Sequence, residues 1–232
     1  MVDFTARAAL FEKSSEEVKT SLIELYSSEG CSSCPPADAW LGRLKTDPGL
    51  WKDFVPVAFH VDYWDSLGWT DRFARKDFTA RQYAYSSAWG ARSVYTPGFV
   101  RDGHEWTEWR KAPMPARSSA KPGVLRVKET EPGVFSVTFA PADGRSGDWR
   151  FNIAALGFDA HSQVNAGENS GRNLAHDFVV LKFEEKKTAT NETTFQFQRP
   201  EGIKTSRLGL AVWVSRAGDL EPIQAVGGWW DR

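Results

Sequence analysis

An α/β first half followed by an all-β second half is the fold class this sequence predicts, on three observations. Runs of strand and helix character alternate as far as residue 107. A Pro- and Ser-rich break, KAPMPARSSAKPG, then fills residues 111–123. Beyond it no helical periodicity survives, only short alternating runs between turn clusters. Residues 1–112 are read as one domain, 113–123 as a linker and 124–232 as a second, β-sandwich-like domain.

The elements follow in order. Residues 20–26 are apolar on both faces, as a buried parallel strand requires. Residues 35–45 form a helix opened by Pro35 and Pro36, where missing N–H groups do little harm. Residues 54–61, FVPVAFHV, are the next strand. Residues 70–89 make a second helix closed by Gly90, with Phe78, Tyr85, Ala88 and Trp89 on one face. Residues 98–101 and 104–107 flank Asp102-Gly103, a strong hairpin signal. The order β-α-β-α-β-β is that of a thioredoxin-like fold. After the break, strands are predicted at 124–130, 134–140, 150–158, 178–184, 193–198, 208–215 and 220–226. Seven strands at this spacing indicate an antiparallel sandwich.

Composition narrows the function. A net charge of −1 over 232 residues gives no electrostatic reason to expect nucleic acid as partner. No apolar run approaches the ~20 residues of a membrane-spanning helix, so no membrane insertion is expected. The start, MVDFTARAALFEKSSEEVK, lacks the basic and apolar regions of a signal peptide. The expected compartment is cytoplasmic for the chain as it stands, and periplasmic or exported if a signal peptide has been removed. Eleven Trp and fifteen Phe are a heavy aromatic load. Most are expected in the core, with a few free to line a groove beside the cysteines.

Both cysteines lie in ELYSSEGCSSCPPAD, residues 24–38, as one C-x-x-C pair between a strand and a helix. Two cysteines three apart cannot staple a fold and are too few for a four-thiolate zinc site. A helix start stabilises a thiolate and lowers its pKa from about 8.5 to roughly 3.5–7.5 in such motifs. Cys31 is therefore read as the exposed attacking thiolate and Cys34 as the resolving thiol. Tyr95-Thr96-Pro97 precedes the hairpin. In this context Pro97 is expected to be cis and to face the cysteines, with Tyr95, Thr96 and Trp64 beside the substrate. Glu24 interrupts an apolar strand and is either a buried proton acceptor for Cys34 or a structural ion pair. His60 ends the second strand, with Asp62 nearby. It is either satisfied by local hydrogen bonds or placed to stabilise a thiolate or complete a metal site with both sulfurs. His104, His161 and His176 show no ligand spacing.

Four stretches carry a resemblance: IELYSSEGCSSCPPAD (23–38), VAFHVDYWDSLGWTDRF (57–73), RQYAYSSAWGARSVYTPGFVRDG (81–103) and GENSGRNLAHDFVV (167–180). Through them the chain resembles the thioredoxin superfamily and, more narrowly, the uncharacterised bacterial family known as domain of unknown function 1223. The resemblance implies a thioredoxin-like N-terminal domain and an all-β C-terminal one, and brings no proven activity. Many relatives carry an export signal that this chain lacks. Only residues 105–111 are available for the final helix of a thioredoxin domain. Residues 167–177 are read either as a solvated turn or as a segment folded over the dithiol.

The expected function is that of a thiol–disulfide oxidoreductase with a redox-active disulfide. It would need no organic cofactor, a protein or small-molecule thiol or disulfide as substrate, and an external redox partner. The alternatives are a copper(I) or other metal-binding module using Cys31, Cys34 and His60, and a non-catalytic binding module.

Overall fold

The computed structural model of the protein describes residues 10–111 and 117–231. Residues 113–116 of the expected linker and the first nine residues lie outside that range. In chain order the first half comprises β1 (Glu12–Ser14), β2 (Ser21–Ser27), α1 (Pro35–Gly42), β3 (Phe54–His60), α2 (Lys76–Ala88), β4 (Gly98–Arg101) and β5 (His104–Glu105). The second half comprises β6 (Gly123–Glu131), β7 (Val134–Pro141), β8 (Trp149–Phe158), β9 (Ala160–Gln163), β10 (Asn173–His176), β11 (Val179–Thr188), β12 (Glu192–Gln196), β13 (Arg207–Arg216) and β14 (Gln224–Trp229).

The expected fold class, a thioredoxin-like α/β domain followed by a separate sandwich, is overturned. The described chain is mostly β, and its largest sheet runs β14-β13-β8-β11-β3-β2-β4-β5, drawing on both halves. The join is β11 lying parallel to β3 at Val179 and Ala58, where the Ala58 N–H donates to the Phe178 carbonyl at 2.8 Å. A local apolar pattern reports which residues are buried and is silent on which strand they pair with.

The smaller sheet, β1-β6-β7-β12, packs on one face of the larger to make a β-sandwich-like body. Phe151, Ile153 and Ala155 of β8 meet Leu125, Val127, Phe135 and Val137 across this layer. The intervening Ala154, Leu156 and Phe158 enter the other core, with Leu25, Phe59, Phe78 and Phe99 of the first half. A strand buried on both faces reads as a continuous apolar run, which is why FNIAALGF shows no alternation.

Local signals hold closely. Asp102 (φ 50°) and Gly103 (φ 86°) both take positive φ, the signature of a type I′ hairpin turn joining β4 to β5. The second helix starts later than expected, at Lys76. The Asp71 side chain accepts the Phe73 N–H (2.9 Å) and its carbonyl accepts the Ala74 N–H (3.0 Å), holding this stretch in a turn. Short β1, β9 and β10 escape the sequence reading because three or four residues carry too little pattern. Among the described residues no helix is long and apolar enough to cross a membrane.

Candidate functional site

β2 delivers the chain to a tight loop, Ser28-Glu29-Gly30, in which the Cys31 N–H donates to the Ser28 carbonyl at 3.2 Å. Gly30 is required there: a Cβ would sit 2.9 Å from Trp64 Cβ. Cys34 caps α1, and Pro35 and Pro36 occupy its first turn. The two cysteines form a disulfide with Cα atoms 5.5 Å apart. The helix start offers fewer free amides than expected. Two first-turn positions are prolines, and the Ala37 and Asp38 N–H groups both donate to the Cys34 carbonyl. The Ser33 hydroxyl lies 3.3 Å from Cys31 Sγ and 3.4 Å from the Thr96 carbonyl, to which it donates.

The Thr96–Pro97 peptide is cis, and the Thr96 carbonyl oxygen lies 3.7 Å from Cys31 Sγ. Trp64 Nε1 donates to Thr96 Oγ1 at 2.8 Å, and Gln82 Nε2 to the Tyr95 carbonyl at 2.7 Å, so this stretch is held from both ends. Alongside runs an open groove of about 320 Å³ lined by Ser33, Tyr95, Pro97, Phe99, Trp106 and Trp109. Cys31, Cys34, Trp64, Tyr95, Thr96 and Pro97 thus belong to one locale.

Glu24 and His60 have other polar partners. The Glu24 carboxylate accepts from Arg81 Nε (2.7 Å) and Nη2 (3.1 Å), from Tyr26 OH (3.0 Å) and from Tyr85 OH (2.5 Å), all buried. It forms a buried ion pair with Arg81. His60 Nδ1 pairs with Asp71 Oδ2 at 2.6 Å. Burial pulls the His60 pKa down, but Asp71, reinforced by Asp38 and Glu29, outweighs it and lifts the value to about 9. The ligand cluster found among the described residues is Asp38, His60 and His176, all buried, and it does not include the cysteines.

Cys31 is not the exposed thiol the sequence predicts: both cysteines are 0 % exposed. The segment between β9 and β10 is bonded to the backbone of their loop. Asn169, itself fully buried, donates through Nδ2 to the carbonyls of Glu29 (2.8 Å) and Cys31 (2.9 Å). Glu168 Oε2 accepts the Ser32 N–H at 3.0 Å, and Arg172 Nη1 fixes Asn169 Oδ1 at 2.8 Å. Residues 168–171 are a turn exposed to solvent, as one reading expects, except that Asn169 is buried against the cysteine loop. Asn169, Ser33, Asp71 and His176 went unassigned in the sequence reading. The motif GENSGRNLAHDF marked two of them without indicating what they touch.

These features define a class: a β-sandwich-like protein whose C-x-x-C disulfide sits beneath a hairpin of its own chain. The chain belongs to the family described as protein of unknown function (DUF1223), whose model matches residues 22–215. It is similar to the crystal structure of protein AGR_C_4864 from Agrobacterium tumefaciens, at 21% identity over 93% of this chain and 96% of that one, with a TM-score of 0.59. It is also similar to HBP35 of Porphyromonas gingivalis, at 15% identity over 94% of this chain and 77% of that one, with a TM-score of 0.62. At such identities the likeness concerns the fold. No curated protein matches the chain.

Proposed function

We propose that the protein is a thiol–disulfide oxidoreductase that works through Cys31 and Cys34. The observation that carries this reading is the disulfide placed at the start of α1, with Cys31 Sγ 3.7 Å from the Thr96 carbonyl. An extended substrate laid along Tyr95, Thr96 and Pro97 would bring its own sulfur to that point, with its side chains against Trp106 and Trp109.

In the oxidised protein a substrate thiolate attacks Cys31 Sγ, the Cys31–Cys34 bond breaks, and the electron pair leaves on Cys34. A second substrate thiolate then attacks its partner sulfur in the mixed disulfide and releases Cys31. The substrate loses two electrons to the pair, and both released thiolates take up protons. The reverse sequence starts from a Cys31 thiolate and a substrate disulfide, with Cys34 resolving. Either direction needs an external thiol or disulfide partner to reset the pair, and needs residues 167–172 to move aside. A disulfide persists in an oxidising compartment, which favours a periplasmic or exported setting over the cytoplasm.

The complete burial of both sulfurs favours a second reading, a binding module whose disulfide never turns over. The Cys34→Ser variant separates the two. In the first reading its Cys31 forms a mixed disulfide with a model aromatic disulfide, and the wild type catalyses reduction or oxidation of a protein substrate. If Cys31 stays unreactive in the folded variant and the wild-type potential lies far below about −300 mV, the exchange reading is lost.

A further inference from the structure

We propose a second site in this protein, a divalent transition-metal site of the zinc type built from His60, His176 and Asp38. His60 ends β3, Asp38 lies on α1 and His176 ends β10, so the three come from elements far apart in sequence. Their ligand atoms lie within 4.8 Å of one another, and the two imidazole rings meet nearly at right angles with centroids 4.8 Å apart. Two imidazoles and a carboxylate are the donor set that zinc and its first-row neighbours take.

Two independent features point to an ion and away from a plain hydrogen-bond cluster. The first is a set of buried nitrogens without partners. His60 Nε2 has none, although the residue is 0 % exposed, and His176 Nδ1, at 2 % exposure, has no partner within hydrogen-bond distance. Buried polar atoms left unpaired are costly and rare. The second is the arrangement behind the rings. His60 turns Nδ1 to Asp71 Oδ2 at 2.6 Å, and His176 turns Nε2 toward Glu29 Oε1 at 3.3 Å. Each histidine thus has a carboxylate on one nitrogen, leaving His60 Nε2 and His176 Nδ1 for the ion, the latter 3.8 Å from Asp38 Oδ2. A carboxylate behind a ligating histidine fixes its tautomer and raises its basicity. Asp38 is oriented in turn by Ser27 Oγ, at 3.1 and 3.2 Å from its two oxygens. Phe73 packs its ring against both histidines and closes the apolar side.

A metal here would pin the cysteine helix to the hairpin that carries Asn169, since Asp38 belongs to the first and His176 to the second. The test uses full-length protein stripped with chelator and kept oxidised, so that no thiolate competes. Calorimetric titration with zinc chloride is expected to show one equivalent bound with a Kd below about 1 μM, together with a raised Tm. Cobalt(II) is expected to give visible d–d absorption at the same stoichiometry. His176→Gln and Asp38→Asn should each lose most of the binding, and Asp71→Asn should weaken it roughly 10- to 100-fold. The wild-type titration stands on its own if a variant does not fold. No binding of either ion to the oxidised wild type overturns the site, as does binding that appears only after the disulfide is reduced, which would assign the metal to Cys31 and Cys34.

Discussion

Asn169 holds the carbonyl of Cys31 through Nδ2 at 2.9 Å, across 138 residues of sequence. That single amide, with a second bond to Glu29, ties the cysteine loop to a hairpin from the other half of the chain. If these contacts gate the proposed chemistry, loosening them will change access to the disulfide.

Asn169→Ala removes both bonds. At about 1 kcal/mol each, the opening equilibrium shifts by up to roughly 30-fold. Reduction of the disulfide by a phosphine, followed by alkylation and mass spectrometry, should accelerate by about 10- to 30-fold. An unchanged rate in a folded variant would mean the sulfurs are reached by another path.

Glu168 adds a pH-sensitive contact from the same turn. The hydrogen bonds it receives from Ser32 hold its pKa below the ordinary 4.5. A depressed carboxylate contributes fully above its unfolded value and loses that contribution as pH falls through the folded one. The turn should therefore loosen as the medium is acidified below about pH 4.5. The ratio of reduction rates, Glu168→Gln over wild type, is expected to exceed one at neutral pH and approach one in acid. A ratio independent of pH removes Glu168 from the gate.

The Glu24–Arg81 pair is a stability element. With both side chains buried, Glu24→Gln strands a guanidinium charge, at a cost of about 3–5 kcal/mol. Urea unfolding of the oxidised variant measures it. Thiol–disulfide exchange by the variant, assayed where it remains folded, shows whether the carboxylate also serves the cysteines. A fall of less than about 1 kcal/mol contradicts the structural role.

The first half should not fold by itself. Ala154, Leu156, Phe158, Ala211 and Trp213 from the second half complete the core around Leu25, Phe59 and Phe78. A fragment of residues 1–112 also leaves the β3 edge that β11 pairs unprotected. Such a fragment is expected to show no cooperative thermal transition and to aggregate. A sharp transition with native-like near-UV dichroism would make it an autonomous domain.

What could be read from the sequence was what is local. Asp102-Gly103 announced its hairpin because two adjacent residues must share positive φ. The C-x-x-C pair was legible between its strand and its helix because strand, loop and helix follow directly in the chain, whereas Pro97 was set beside it only by analogy with a thioredoxin-like fold. The fold class failed because the chain is mostly β with a sheet shared by both halves, joined at Val179 and Ala58, and nothing in either strand names its neighbour. Glu24 illustrates the same limit: its burial was legible, but Arg81 as its partner, 57 residues away, was not. His176 looked unremarkable for the same reason, because Asp38 and His60 reach it only through the finished topology.

The turn also imposes an order of events during biosynthesis. Residues 167–172 leave the ribosome long after Cys34, so the nascent chain presents both thiols openly until the later strands exist. Completion of the sheet then brings Asn169 onto the carbonyls of Glu29 and Cys31.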